Sequence, residues 1–159
     1  MIYQSISMPH RTVMVIASDP ATFQLVTQLI ARRDDWKLLT ATQGTQGVDM
    51  TSACQPDVVV MDTGLSDIGG LDALKMLRDD FSTSHIPVIA LSSDAQQTHI
   101  DQGLKAGFYR YLIKPFRLTE LLDAIDEAVR FNPKNIGPVV PPSNPQGPSE
   151  GLPSRLDAT

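Results

Sequence analysis

The strongest constraint on this chain is a rhythm: a short apolar run followed by a helical pattern, five times over between residues 12 and 131. Val13 to Ala17 is a continuous apolar run with β-branched residues. Ser18-Asp19-Pro20 follows, and then Phe23, Val26, Leu29 and Ile30 at helical spacing. Trp36 to Ala41 reads as a second strand; Gly44 to Cys54, rich in Thr and Gly, is a poor helix candidate that the position in the repeat nevertheless requires. Asp57 to Met61 is a third strand, apolar after its first residue. Gly70 to Arg78 is helical, with Leu71, Leu74 and Leu77. Pro87 to Leu91 and Tyr109 to Ile113 are the last two strands, separated by a more polar helix over Asp94 to Ala106. Leu118, Leu121, Leu122, Ile125 and Val129 mark the final helix.

Strands that are apolar throughout, and not alternating, belong to a sheet buried on both faces. Right-handed crossovers then give parallel strands with helices on each side. The expected fold is therefore α/β: a flavodoxin-like, doubly wound, five-stranded parallel sheet of order 2-1-3-4-5. Such sheets bind ligands beyond the carboxyl ends of their strands, near the switch point between strands 1 and 3. Chemistry should be sought just after each strand.

Composition sets the outer limits. Of 159 residues, 42% are hydrophobic and 19% charged, a globular balance. A net charge of -5 argues against nucleic-acid binding, which needs clustered cations. No apolar run is long enough to span a membrane, and the first residues lack a signal-peptide core. Cys54 is the sole cysteine, and His10, His85 and His99 lack ligand-like spacing. Neither a disulfide nor a zinc site is expected, and a cytoplasmic location is the default. Seven of the 12 prolines lie in residues 132–159, which show no apolar periodicity. That composition predicts a disordered, Pro-rich tail with PxxP patterns such as Pro138 to Pro141, after a domain at 12–131 and an extension at 1–11.

Three strand ends carry suggestive chemistry. Asp62 follows strand 3 in VVVMDTGLSDIGG, Ser92 follows strand 4 in VIALSSDA, and Lys114 follows strand 5 in YLIKPF. A carboxylate, a hydroxyl and an ammonium converging there suit phosphoryl chemistry: the carboxylate accepts the group, and the other two bind its oxygens. Asp94 with Gln97 reads as a capping box, which makes a capping role for Ser92 redundant.

On those motifs and their spacing, residues 12–131 resemble the receiver domain of bacterial response regulators, also found attached to hybrid sensor histidine kinases. The resemblance implies that Asp62 is the phospho-acceptor and Ser92 the switch hydroxyl. It implies that Lys114 pairs with the acceptor and then with a phosphoryl oxygen, that Tyr111 is an aromatic switch, and that the Lys114-Pro115 bond is cis. Tyr111 also reads as ordinary edge-strand core.

The sequence departs from that pattern at the end of strand 1. The family places two acidic residues there for a divalent metal, and here those positions are Ala17 and Ser18. Asp19 comes one residue later, directly before Pro20, as an N-cap with proline at the first helical position would. A metal set of Asp62 with Asp19 is therefore poor, and Mg2+ should bind weakly. The loop after Asp62 departs too: Ser66 and Gly69 stand where the family often has a proline and an acid, which puts its rigidity in question.

The resulting expectation is a non-enzymatic signalling module of a two-component or phosphorelay system. Its partners would be a histidine kinase or phosphotransfer protein, and a downstream protein on the face of helix 4, strand 5 and helix 5. Gln96, Gln97, His99 and Gln102 keep the helix 4 edge of that face weakly charged. Twenty-eight tail residues are too few for an output domain, and a homodimer stays open. The alternatives are a degenerate receiver that binds partners without phosphorylation, and a flavodoxin-like domain for a nucleotide or flavin.

Overall fold

The structure is a computed structural model, and it describes residues 11–132. Residues 1–10 and 133–159 lie outside it, so the Pro-rich segment and its PxxP patterns are not described. The elements in chain order are β1 (Arg11–Ile16), α1 (Pro20–Ala31), β2 (Trp36–Ala41), α2 (Gly44–Cys54), β3 (Val58–Asp62), α3 (Gly70–Asp79), β4 (Val88–Ser92), α4 (Gln97–Ala106), β5 (Arg110–Ile113) and α5 (Leu118–Phe131).

The five strands form one parallel sheet in the order β2-β1-β3-β4-β5. The fold is the doubly wound one expected. Alternation along each strand explains why the strands read as unbroken apolar runs. Val13, Val15, Val58, Val60, Ile89 and Leu91 point to one face, against Val26, Leu29 and Ile30 of α1 and Leu121, Ile125 and Val129 of α5. Met14, Ile16, Val59, Met61, Val88 and Ala90 point to the other, against Ala73, Leu74 and Leu77 of α3. β3 and β4 are buried along their whole length, while the edge strands β2 and β5 are only partly buried.

The helices differ in how firmly they are seated. Among the described residues, α5 buries five side chains and α4 only Gly103. That glycine is a close approach: a Cβ there would stand 2.9 Å from the Tyr111 ring. Gly107 ends α4 at φ 124°, a left-handed conformation open to glycine.

Several boundaries move from their sequence positions. β1 begins at Arg11, so that residue belongs to the sheet and not to an extension. Asn132 is buried, and its side-chain amide donates to the Asp57 carbonyl at 2.8 Å, which ties the end of α5 to the start of β3. β3 and β4 each run one residue further than expected, to Asp62 and Ser92, because both residues complete the ladder with their neighbours. α4 starts at Gln97 and not at Asp94. The capping box expected of Asp94 and Gln97 is not formed. The Asp94 carboxylate instead accepts from the Gln96 amide at 3.0 Å and pairs with His99, a turn that occupies the residues before the helix.

Candidate functional site

The carboxyl ends of β1, β3, β4 and β5 form the site. Parallel pairing sets Asp62 beside Leu91 and Ser92 beside Ile113. Beyond the strands, the Thr63 amide donates to the Leu91 carbonyl at 2.9 Å and the Lys114 amide to the Ser92 carbonyl at 2.8 Å. Residues 62, 92 and 114 are thus neighbours because three adjacent strands end in step.

Asp62 is 4% exposed, an unusual place for a carboxylate unless it is paired. One oxygen accepts from the Gly64 amide at 3.1 Å, and the other lies 3.0 Å from the Lys114 ammonium. Lys114 also stands 3.9 Å from Asp19, so its charge faces two carboxylates. The Lys114-Pro115 bond is cis. Ser92 is buried, and its hydroxyl accepts from the Asp94 amide at 3.0 Å. That bond corrects the expectation of a redundant cap: with α4 starting later, the Asp94 amide needs an acceptor and Ser92 supplies it.

A cleft of about 390 Å³ opens beside these groups. Ser92, Thr63, Gly70, His99, Phe108 and Tyr111 are among its walls. Tyr111 is half-buried, with its ring edge-on to Phe108 at 6.0 Å between centroids. The structure therefore gives Tyr111 a packing role against the core and a place in the same cleft as Ser92.

These features match a known family. A family model for the response regulator receiver domain matches residues 13–126. The chain belongs to this family. The receiver domain is 35% identical over 112 residues to a probable transcriptional regulatory protein, TcrX, of Mycobacterium tuberculosis. That match covers 70% of this chain and 46% of the relative, so the chain spans under half of the mycobacterial protein. It is 26% identical over 115 residues to the polar-differentiation response regulator DivK of Brucella anthropi, covering 72% of this chain and 93% of the relative. Among solved structures it resembles the receiver domain of a Francisella response regulator, with a TM-score of 0.70 and 26% identity over 76% of this chain and 98% of the other. It shares its fold with the receiver domain of a Pseudomonas aeruginosa sensor histidine kinase, solved with a magnesium ion coordinated in its active site cleft. That likeness has a TM-score of 0.69 and 22% identity, over 76% of this chain and 98% of the other.

The donors of this receiver domain fit such an ion poorly. Ala17 offers no side-chain oxygen, and the Ser18 hydroxyl is spent on the Thr42 carbonyl at 2.8 Å. Asp19 caps α1, accepting from the Ala21 amide at 3.3 Å and the Thr22 hydroxyl at 2.7 Å. The Thr22 bond above all holds its carboxyl below the usual range. Among the described residues no three His, Cys, Asp or Glu side chains group as metal ligands would. Mg2+ commonly needs one or two free carboxylates beside substrate oxygens. Among the described residues Asp62 is the buried carboxylate at this end of the sheet, and Lys114 shares one of its oxygens.

Two sets of contacts at the site were not legible in the sequence, those of Asp67 and the one between Ser66 and Ser18. Asp67 accepts from the Gly44 amide at 2.7 Å, the Thr45 amide at 2.9 Å and the Thr45 hydroxyl at 2.8 Å. Those bonds, the Thr45 amide first, pull its carboxyl far below the usual range. Ser66 meets Ser18 across the site, with its amide 3.3 Å from the Ser18 hydroxyl. Both contacts join segments more than twenty residues apart, so no local pattern announces them.

Proposed function

We propose that this receiver domain is a signalling module of a bacterial two-component or phosphorelay system that acts by protein contact, and in which metal-dependent phosphorylation of Asp62 is weak. The observation that carries this reading is the donor set at the end of β1. A phosphoryl group arriving at Asp62 needs its charge neutralised and its geometry fixed, which a divalent ion supplies in such sites. Ala17, Ser18 and a capping Asp19 cannot hold that ion tightly.

The convergence of Asp62, Lys114 and Ser92 favours a second reading, a working phospho-acceptor. In transfer the Asp62 oxygen would bond to phosphorus as the donor's own bond to phosphorus breaks. Lys114 would then bind a phosphoryl oxygen, Ser92 would turn toward it, and Tyr111 would follow into the shared cleft. A histidine kinase or phosphotransfer protein would be the donor. The downstream partner, or a second copy of the chain, would dock on α4, β5 and α5. The lightly buried α4 suits a face that moves. No helix among the described residues is long and apolar enough to cross a membrane, and a cytoplasmic site of action is part of the proposal. The nucleotide or flavin alternative is disfavoured by Asp19, whose carboxylate occupies the α1 terminus where a phosphate would sit.

Incubation with acetyl phosphate and Mg2+, read by intact mass, tests the proposal. The expected result is a small adduct fraction that Mg2+ barely changes. A stoichiometric, Mg2+-dependent adduct, lost in Asp62→Asn, overturns it and establishes the second reading.

A further inference from the structure

The departures from the family pattern meet in space. Ser18 donates its hydroxyl to the Thr42 carbonyl at 2.8 Å. The same oxygen lies 3.3 Å from the Ser66 hydroxyl and accepts from the Ser66 amide at 3.3 Å. One side chain thereby joins the loops that follow β1, β2 and β3. The next residue in the acceptor loop, Asp67, reaches back to the start of α2 and takes the Gly44 and Thr45 amides.

α2 needs that help. Its N-cap residue, Gln43, makes no side-chain bond to the helix, and its sequence GTQGVDMTSAC is poor in helix formers. A helix start leaves amides without intrahelical partners, and a carboxylate there is favoured by the helix dipole. Packing closes the joint: a Cβ on Gly44 would stand 2.6 Å from Ile68 Cγ1 and 3.1 Å from Leu65 Cδ1. Glycine lets α2 begin against the acceptor loop itself.

We infer that Ser18 and Asp67 form a bracket that orders the acceptor loop without a metal and fastens it to the start of α2. Both are positioning residues, since neither bonds to the Asp62 carboxylate. The inference rests on the reading that this site holds metal weakly, and it gives that loss a structural counterpart. A serine at position 18 can donate to the Thr42 carbonyl, and a carboxylate cannot. Position 18 therefore either brackets the loops or serves as a metal ligand, not both. The rigidity that Ser66 and Gly69 put in question is supplied by Ser18 and Asp67.

Amide hydrogen exchange on the full chain, followed by NMR with chelator or with Mg2+, tests this. In the wild-type chain, protection at Gly44, Thr45 and Ser66 should be the same in both conditions. Ser18→Ala should lower protection at Ser66 by about fivefold, the loss of one hydrogen bond, and Ser18→Thr should keep it. Asp67→Ala should expose Gly44 and Thr45, with Asp67→Asn restoring part of the loss. Ser18→Asp should be loose in chelator and tighten in Mg2+, because the ion then does the bracket's work. Wild-type protection in Ser18→Ala or in Asp67→Ala overturns the bracket. Should Ser18→Ala fail to fold, Ser18→Thr against Ser18→Asp in chelator decides the same point, and equal protection overturns it. Tightening of the wild-type loop by Mg2+ instead overturns the weak-metal reading, a separate result.

Discussion

Removing Lys114 should damage this domain more than removing Asp62, although the two form one pair. Their charged atoms are 3.0 Å apart, with side chains 23% and 6% exposed. At an effective dielectric of about 20 that separation gives about 5 kcal/mol of gross attraction. Bringing the carboxylate out of water costs several kcal/mol, so the net worth of the pair is small. Lys114→Met removes the attraction and leaves that cost. Asp62 would keep only the Gly64 amide, and the expected loss is about 3 kcal/mol. Asp62→Asn leaves a lysine that still reaches water and still has Asp19 at 3.9 Å, so its loss should be about 1 kcal/mol or less. The double variant should be more stable than Lys114→Met alone, since no uncompensated charge remains. Urea unfolding followed by Trp36 fluorescence gives the numbers, because Trp36 is the only tryptophan and is buried at the start of β2. With a slope of about 2 kcal/mol per molar, Lys114→Met should lower the midpoint by about 1.5 M. An equal or larger loss in Asp62→Asn would refute the reasoning, as it would mean that the lysine and not the carboxylate bears the burial cost.

Acid should unfold the protein partly through Asp67. Its carboxyl is held well below the ordinary carboxylate value by the Thr45 and Gly44 amides, so it contributes stability above about pH 4 that is lost as pH falls toward the folded-state value. Asp19, Asp80 and Asp94 are shifted the same way, and a pH series of unfolding midpoints should fall less steeply below pH 4 in Asp67→Asn than in the wild-type chain. Gly70→Ala should cost about 1–3 kcal/mol by overpacking. Its Cβ would lie 2.7 Å from the Thr63 Cα, a backbone atom that cannot move aside, and calorimetry should show the lower Tm.

Much of this molecule was written in local patterns. Asp19 before Pro20 announced an N-cap and formed one. The apolar runs announced a sheet covered on both sides, because each run fills two faces at once. β2 and the start of α5 fell where the residue pattern placed them, while α2, poor in helix formers, was legible only because the strand-helix repeat required an element there. The start of α4 did not, because Asp94 can bond the amide at position 96 or 97 and only its pairing with His99 settled which.

The site divides along the same line. By itself the sequence determined which residues stand at the strand ends, since a parallel sheet delivers Asp62, Ser92 and Lys114 to one edge whatever the loops do. It also determined that Ala17 and Ser18 offer no acidic pair. Only the tertiary structure decided what fills that deficit. The partners of Ser18 lie 24 and 48 residues away, and those of Asp67 lie 22 and 23. Such contacts follow from how three loops settle against one another, where side-chain geometry and not residue spacing selects the hydrogen bonds.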